Sequence, residues 1–99
     1  MNHNQIFGKA LRQLRREMRL TQEELGFESE ISRTHISLLE LGQRSPTFDS
    51  LLKISTGLKM ELSDFLILLA EKIRPQKMEQ RVKLKNEYTT PDMTQEHIE

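Results

Sequence analysis

The stretch from Leu20 to Gly42, LTQEELGFESEISRTHISLLELG, constrains this chain more than any other segment. It reads as two short helices joined by a tight turn. The Thr21 hydroxyl is placed to cap a helix running from Gln22 to about Glu28, and Glu24, three residues on, completes a capping box. Leu25 supplies the core contact, and Gly26 removes a side chain where a second helix can press close. Ser32 is the next cap, followed by Arg33 to Leu41, with Gly42 where helices often end left-handed. Stepping about 100° per residue puts Ile36 and Leu39 on one side of this second helix, with Glu40 at its margin; Thr34, Ser37, Leu38 and Leu41 lie on the other. So short a helix is not stable alone, so Ile36 and Leu39 must dock inward. The opposite face is left free to touch something else.

Ninety-nine residues, 35% of them hydrophobic, suffice for one small helical domain and leave little room for a deep enzyme pocket. With no cysteine there is no disulfide frame and no thiolate metal site, which fits a reducing, cytoplasmic setting. Met1 to Gln5 lacks an apolar signal region, and the longest apolar run, Phe65 to Ala70, is far short of the roughly 20 residues that span a bilayer. No membrane association is therefore expected. Fifteen basic and fifteen acidic residues cancel, so any affinity for nucleic acid must come from local placement of charge.

Such placement occurs in the first helix, expected from about Gln5 to Met18. Its core stripe is Phe7, Leu11, Leu14 and Met18, with Ile6 and Ala10 beside it. Lys9, Arg12, Arg16 and Arg19 recur at helical spacing largely opposite. They form either a solvated face or a row of phosphate contacts. Ser45-Pro46-Thr47 reads as a turn into a fourth helix, Phe48 to about Leu58, with Phe48, Leu51, Leu52 and Ser55 inward and Ile54 and Leu58 adjoining. A fifth, from about Leu62 to Ile73, carries a core stripe of Leu62, Phe65, Leu66, Leu69 and Ile73. Ile67 and Leu68 fall outside that stripe and suggest an interface. Pro75 closes the domain, giving an expected division into 1–74 and a polar tail, 75–99, that is disordered, braces a dimer or holds a protein partner.

Thr21-Gln22-Glu23-Glu24-Leu25, Ile31-Ser32-Arg33-Thr34, Ile36-Ser37 and Glu40 before Gly42 resemble the helix-turn-helix of the lambda repressor, Cro and XRE family of DNA-binding regulators. The resemblance continues through Phe48 to Ile54 and Leu62 to Phe65, covering roughly residues 6 to 73. It implies an all-α, five-helix domain in which Arg15 and Glu40 form a structural ion pair. It also implies a homodimer formed through the fifth helix, with Ile67 and Leu68 as its expected interface. Two departures from the family pattern bear on helix ends: Glu30 and Lys59 stand where glycine is usual.

The remaining chemistry points to recognition. His3, His35 and His97 show no metal-ligand spacing, no phosphate-binding glycine motif is present, and no serine has a convincing base, so neither metal, cofactor nor catalysis is expected. Thr21 and Gln22 open a helix whose N–H groups and side-chain amide can meet a phosphate, the alternative for Gln22 being an ordinary cap residue. Arg33 can reach guanine O6 and N7 bidentately, and Thr34 and Ser37 can approach bases or phosphates. Leu38 either meets a thymine methyl or packs against a neighbouring segment or partner. The expected DNA-contacting set is thus Arg12, Arg16, Arg19, Thr21, Gln22, Arg33, Thr34, Ser37 and Leu38. The expected function is a sequence-specific, homodimeric regulator on a two-fold symmetric operator of double-stranded DNA. An antitoxin or restriction-modification controller of the same fold, and a protein-interaction module keeping the helix-turn-helix as scaffold, are the alternatives.

Overall fold

A computed structural model of the chain describes residues 1–74, so the division at Pro75 and the tail expected beyond it lie outside the described residues. Those residues form five helices: α1 (His3–Glu17), α2 (Gln22–Ser29), α3 (Arg33–Glu40), α4 (Phe48–Gly57) and α5 (Leu62–Ile73). α1 begins earlier than its apolar period predicts because Asn2 caps it. The Gln5 N–H donates to Asn2 Oδ1 at 2.8 Å, and Asn2 N–H donates to Gln5 Oε1 at 3.0 Å. The capping box of α2 is formed as expected, Glu24 N–H donating to Thr21 Oγ1 at 3.0 Å and Thr21 N–H to Glu24 Oε1 at 2.9 Å. Ser32 accepts from the His35 N–H at 3.0 Å and so starts α3.

Packing follows from these starts. α1 lies against α3 and α5, while α2 packs on α3 and α4. Ala10, Leu11, Leu14, Leu25, Ile36, Leu39, Ile54, Leu58, Phe65 and Leu69 form one buried core. The close approach expected at Gly26 is real: a β-carbon there would sit 2.6 Å from the Ile31 carbonyl oxygen. Gly42 ends α3 at φ 77°, and Arg19, Glu30 and Lys59 adopt left-handed conformations at the ends of α1, α2 and α4 without being glycine.

The core faces of two helices differ from the periodicity reading. In α4, Phe48 is 66% exposed and Leu52 is also exposed, whereas Ile54 and Leu58 are fully buried, so the inward face is turned toward the residues expected only to adjoin it. In α5, Phe65 and Leu69 are buried with Leu62 and Leu68 packed beside them, while Leu66, Ile67 and Ile73 are exposed. Phe65 and Leu69 enter the core, and the same orientation leaves the Lys72 side chain only 14% exposed, with its ammonium 2.8 Å from Glu17 Oε1 on α1. Burial of Phe65 and Leu69 fixes the rotation of α5, because an ion pair with a half-exposed carboxylate is worth much less than those two side chains. It brings 65, 68, 69 and 72 inward and leaves Leu66, Ile67, Ala70 and Ile73 outward. Leu68, expected on an interface, therefore packs half-buried on the protein's own core. Met18 and Ile6, expected in or beside the α1 stripe, are also exposed.

Candidate nucleic-acid interface

The centre of the site is a buried carboxylate. Glu40, in the last turn of α3, faces Arg15 of α1, and both are buried. Arg15 Nε–H donates to Glu40 Oε2 at 2.6 Å and Nη2–H to Oε1 at 3.0 Å, a bidentate pair. The third guanidinium nitrogen donates to the Leu20 carbonyl oxygen at 2.8 Å, at the entry to the helix-turn-helix. Gln22 Nε2–H completes the set, donating to Glu40 Oε1 at 3.0 Å. One carboxylate thus ties together α1, the first residue of α2 and the end of α3. Sequence reasoning pairs Arg15 with Glu40 by resemblance but has no signal for Gln22 as the third member, because an amide at a helix start reads equally as a cap or a phosphate ligand.

Above this network lies a shallow open cleft lined by Arg12, Arg15, Thr21, Gln22, Glu23 and Arg33. Four residues of the expected DNA-contacting set, from three different helices, meet there. Thr21 Oγ1 accepts from the Glu24 N–H, which leaves its own hydroxyl hydrogen free to donate outward. The start of α2 adds its unpaired N–H groups and the positive end of the helix dipole, a setting that favours an anion. Arg12 and Arg33 are exposed, and among the described residues no carboxylate forms an ion pair with either.

The outward face of α3 continues from Arg33. Thr34 is exposed, Ser37 and Leu38 are half-buried, and Leu41 is 57% exposed. The face is polar at its start and apolar toward its end. Arg16 is exposed on α1, but Arg19 lies past the helix end at φ 62°, off the helical row that its spacing predicts. A second open cleft, lined by Lys9, Arg12, Gln13, Arg16 and Glu17, runs along α1. No helix among the described residues is long and apolar enough to cross a membrane.

Known proteins resemble this chain in sequence and fold. The control protein C.BamHI of Bacillus amyloliquefaciens is 39% identical over 62 residues, covering 62% of this chain and 76% of that protein. The restriction-modification controller protein C.AhdI of Aeromonas hydrophila superposes with a TM-score of 0.58 at 36% identity, over 62% of this chain and 92% of that one. The controller protein C.Esp1396I, solved as a tetramer in complex with its natural 35 base-pair operator, gives a TM-score of 0.66 at 30% identity, over 73% of this chain and 95% of that one. A family model described as helix-turn-helix matches residues 11–65, more than half of the chain. The chain belongs to the Cro/C1-type helix-turn-helix family of DNA-binding transcription regulators.

Proposed function

We propose that this protein is a sequence-specific regulator that binds double-stranded DNA as a homodimer on a two-fold symmetric operator. The observation that carries the reading is the cleft joining Arg12, Thr21, Gln22 and Arg33 at the start of α2, beside the exposed start of α3. A phosphate held there sets the register of the domain on the duplex, and α3 then lies along the major groove with Arg33 toward a guanine edge and Thr34 and Ser37 toward neighbouring bases or phosphates. Leu38, half-buried, offers an apolar contact suited to a thymine methyl. The domain spans 1–74, and the exposed stripe of α5 provides the dimer contact.

Within that reading, a restriction-modification controller role is favoured by the relatives: C.BamHI is a control protein, and C.AhdI and C.Esp1396I are restriction-modification controllers. Selection of bound duplexes from a random pool, followed by sedimentation of the full chain with the enriched duplex, tests the proposal. An inverted repeat carrying two or more chains supports it. An empty selection at low salt overturns it.

A further inference from the structure

The last helix ends beside the basic face of the first. Lys72, in the last turn of α5, reaches Glu17 at the end of α1 at 2.8 Å, so the chain beyond Arg74 leaves the domain next to the cleft bordered by Arg12, Arg16 and Glu17. Arg12 also lines the cleft at the start of α2, where it stands with Arg33 and the carboxylate of Glu23. Arg15 in that cleft is already held by Glu40, but Arg12 and Arg33 are exposed, and among the described residues no ion pair engages either. The sequence past Arg74 is divided by charge. Lys77, Arg81, Lys83 and Lys85 outweigh Glu79 in residues 77–85, whereas residues 86–99 hold Glu87, Asp92, Glu96 and Glu99 and no lysine or arginine. Glu87 stands thirteen residues past Arg74. At about 3.3 Å per residue that is a reach of up to roughly 43 Å, whereas α1 from Glu17 back to Arg12 covers only about 8 Å.

We infer that the acidic stretch 86–99 occupies the cleft of Arg12 and Arg33 in the DNA-free molecule, so that the chain carries its own competitor for the phosphate site. The inference rests on the DNA-binding reading above and adds to it an intramolecular control of the same site. Charge and tethering choose this occupant. A carboxylate offers a guanidinium the same bidentate geometry as a phosphate, and the start of α2 favours either anion. The cationic stretch 77–85 is kept out of the cleft by its like charge and forms the span. A tethered segment meets its site at an effective concentration on the order of 1 mM, so docking with a dissociation constant of about 0.3 mM fills the cleft in about three-quarters of free molecules and lowers DNA affinity about fourfold. The consequence is a threshold: the regulator fills its operator at a higher concentration than the folded domain would by itself.

The test compares the full chain with a variant neutralised at all four carboxylates, E87Q, D92N, E96Q and E99Q together, which leaves every residue of the folded domain in place. Without DNA, the side-chain Nε–H resonances of Arg12 and Arg33 are expected to differ between parent and variant, while that of Arg44, which lines neither cleft, stays the same. With the selected duplex, the variant is expected to bind about fourfold tighter at low salt, the gap closing as salt rises. Unmoved resonances at Arg12 and Arg33 overturn the self-occupied cleft whatever the affinities do, because neutralising acids also relieves their general repulsion from DNA. Equal affinities overturn it as well, and both results leave the regulator reading standing. If neither protein binds any duplex, the regulator reading falls, while the resonances, recorded without DNA, still decide whether the acidic stretch docks.

Discussion

At the scale of single residues, the fold and the site depend on the same carboxylate. Glu40 accepts from Arg15 twice and from Gln22 once, so removing either charged partner leaves the other buried without compensation. Arg15→Ala or Glu40→Ala is expected to cost about 3 to 5 kcal/mol, a large share of a small domain's stability, whereas Arg33→Ala leaves the melting temperature near the parent's. Thermal and urea melts check this; equal melts for all three variants would reduce the pair to a surface contact. Glu17 gives a pH-dependent counterpart. Its hydrogen bond from Lys72, with the attraction of that ammonium, holds its carboxyl below the ordinary value of 4.5. The folded state then binds this proton less readily than the unfolded chain. The contribution is present above the unfolded carboxyl's pKa and is lost as pH falls through the lower folded value. Melts recorded from pH 6 downward should therefore show a steeper acid decline in the parent than in Glu17→Gln, and identical profiles would contradict the assignment.

At the scale of elements, the starts of α2 and α3 are legible because their caps are local, Thr21 with Glu24 and Ser32 each acting within one turn, whereas the Asn2 cap of α1 lies ahead of the apolar period that the sequence reading follows. Helix rotation is less legible. The apolar period of α5 admits either Leu66 or Leu68 as its inward residue, and the choice is made by which side chains find partners on other helices, Phe65 and Leu69 entering the core with Leu68 packed against it, which no local pattern encodes. The same holds for α4, where Phe48 is exposed despite heading the helix. Glu30, standing where the family pattern has glycine, occupies the turn of the helix-turn-helix in a left-handed conformation at φ 60°. A β-carbon there costs on the order of 1 kcal/mol, offset in part by the freedom glycine adds to the unfolded chain. Glu30→Gly should thus raise stability by up to about 1 kcal/mol in denaturant melts, and a loss of similar size would show that the Glu30 side chain supports the turn. For α5, charged replacements of Leu66 and Ile67 together should give a folded monomer by sedimentation. An intact dimer would place the subunit contact elsewhere.

At the scale of the whole molecule, balanced charge and a thin core leave function to geometry: three helices joined through the Glu40 carboxylate present the cleft of Arg12, Thr21, Gln22 and Arg33 beside an exposed helix start. In the proposed homodimer, two such units about 34 Å apart along the duplex meet successive major-groove faces, which ties dimer symmetry to operator symmetry. The sequence carried the residues of this site but not their convergence, since Arg12 and Arg33 are joined only when α1 packs on α3. The central claim is that the start of α3 reads the operator through Arg33. Repeating the selection from random DNA with Arg33→Gln tests it most directly. The account predicts that the guanine preference is lost at one symmetry-related position in each half-site while the rest of the repeat is retained; enrichment of the same sequence by parent and variant would contradict it.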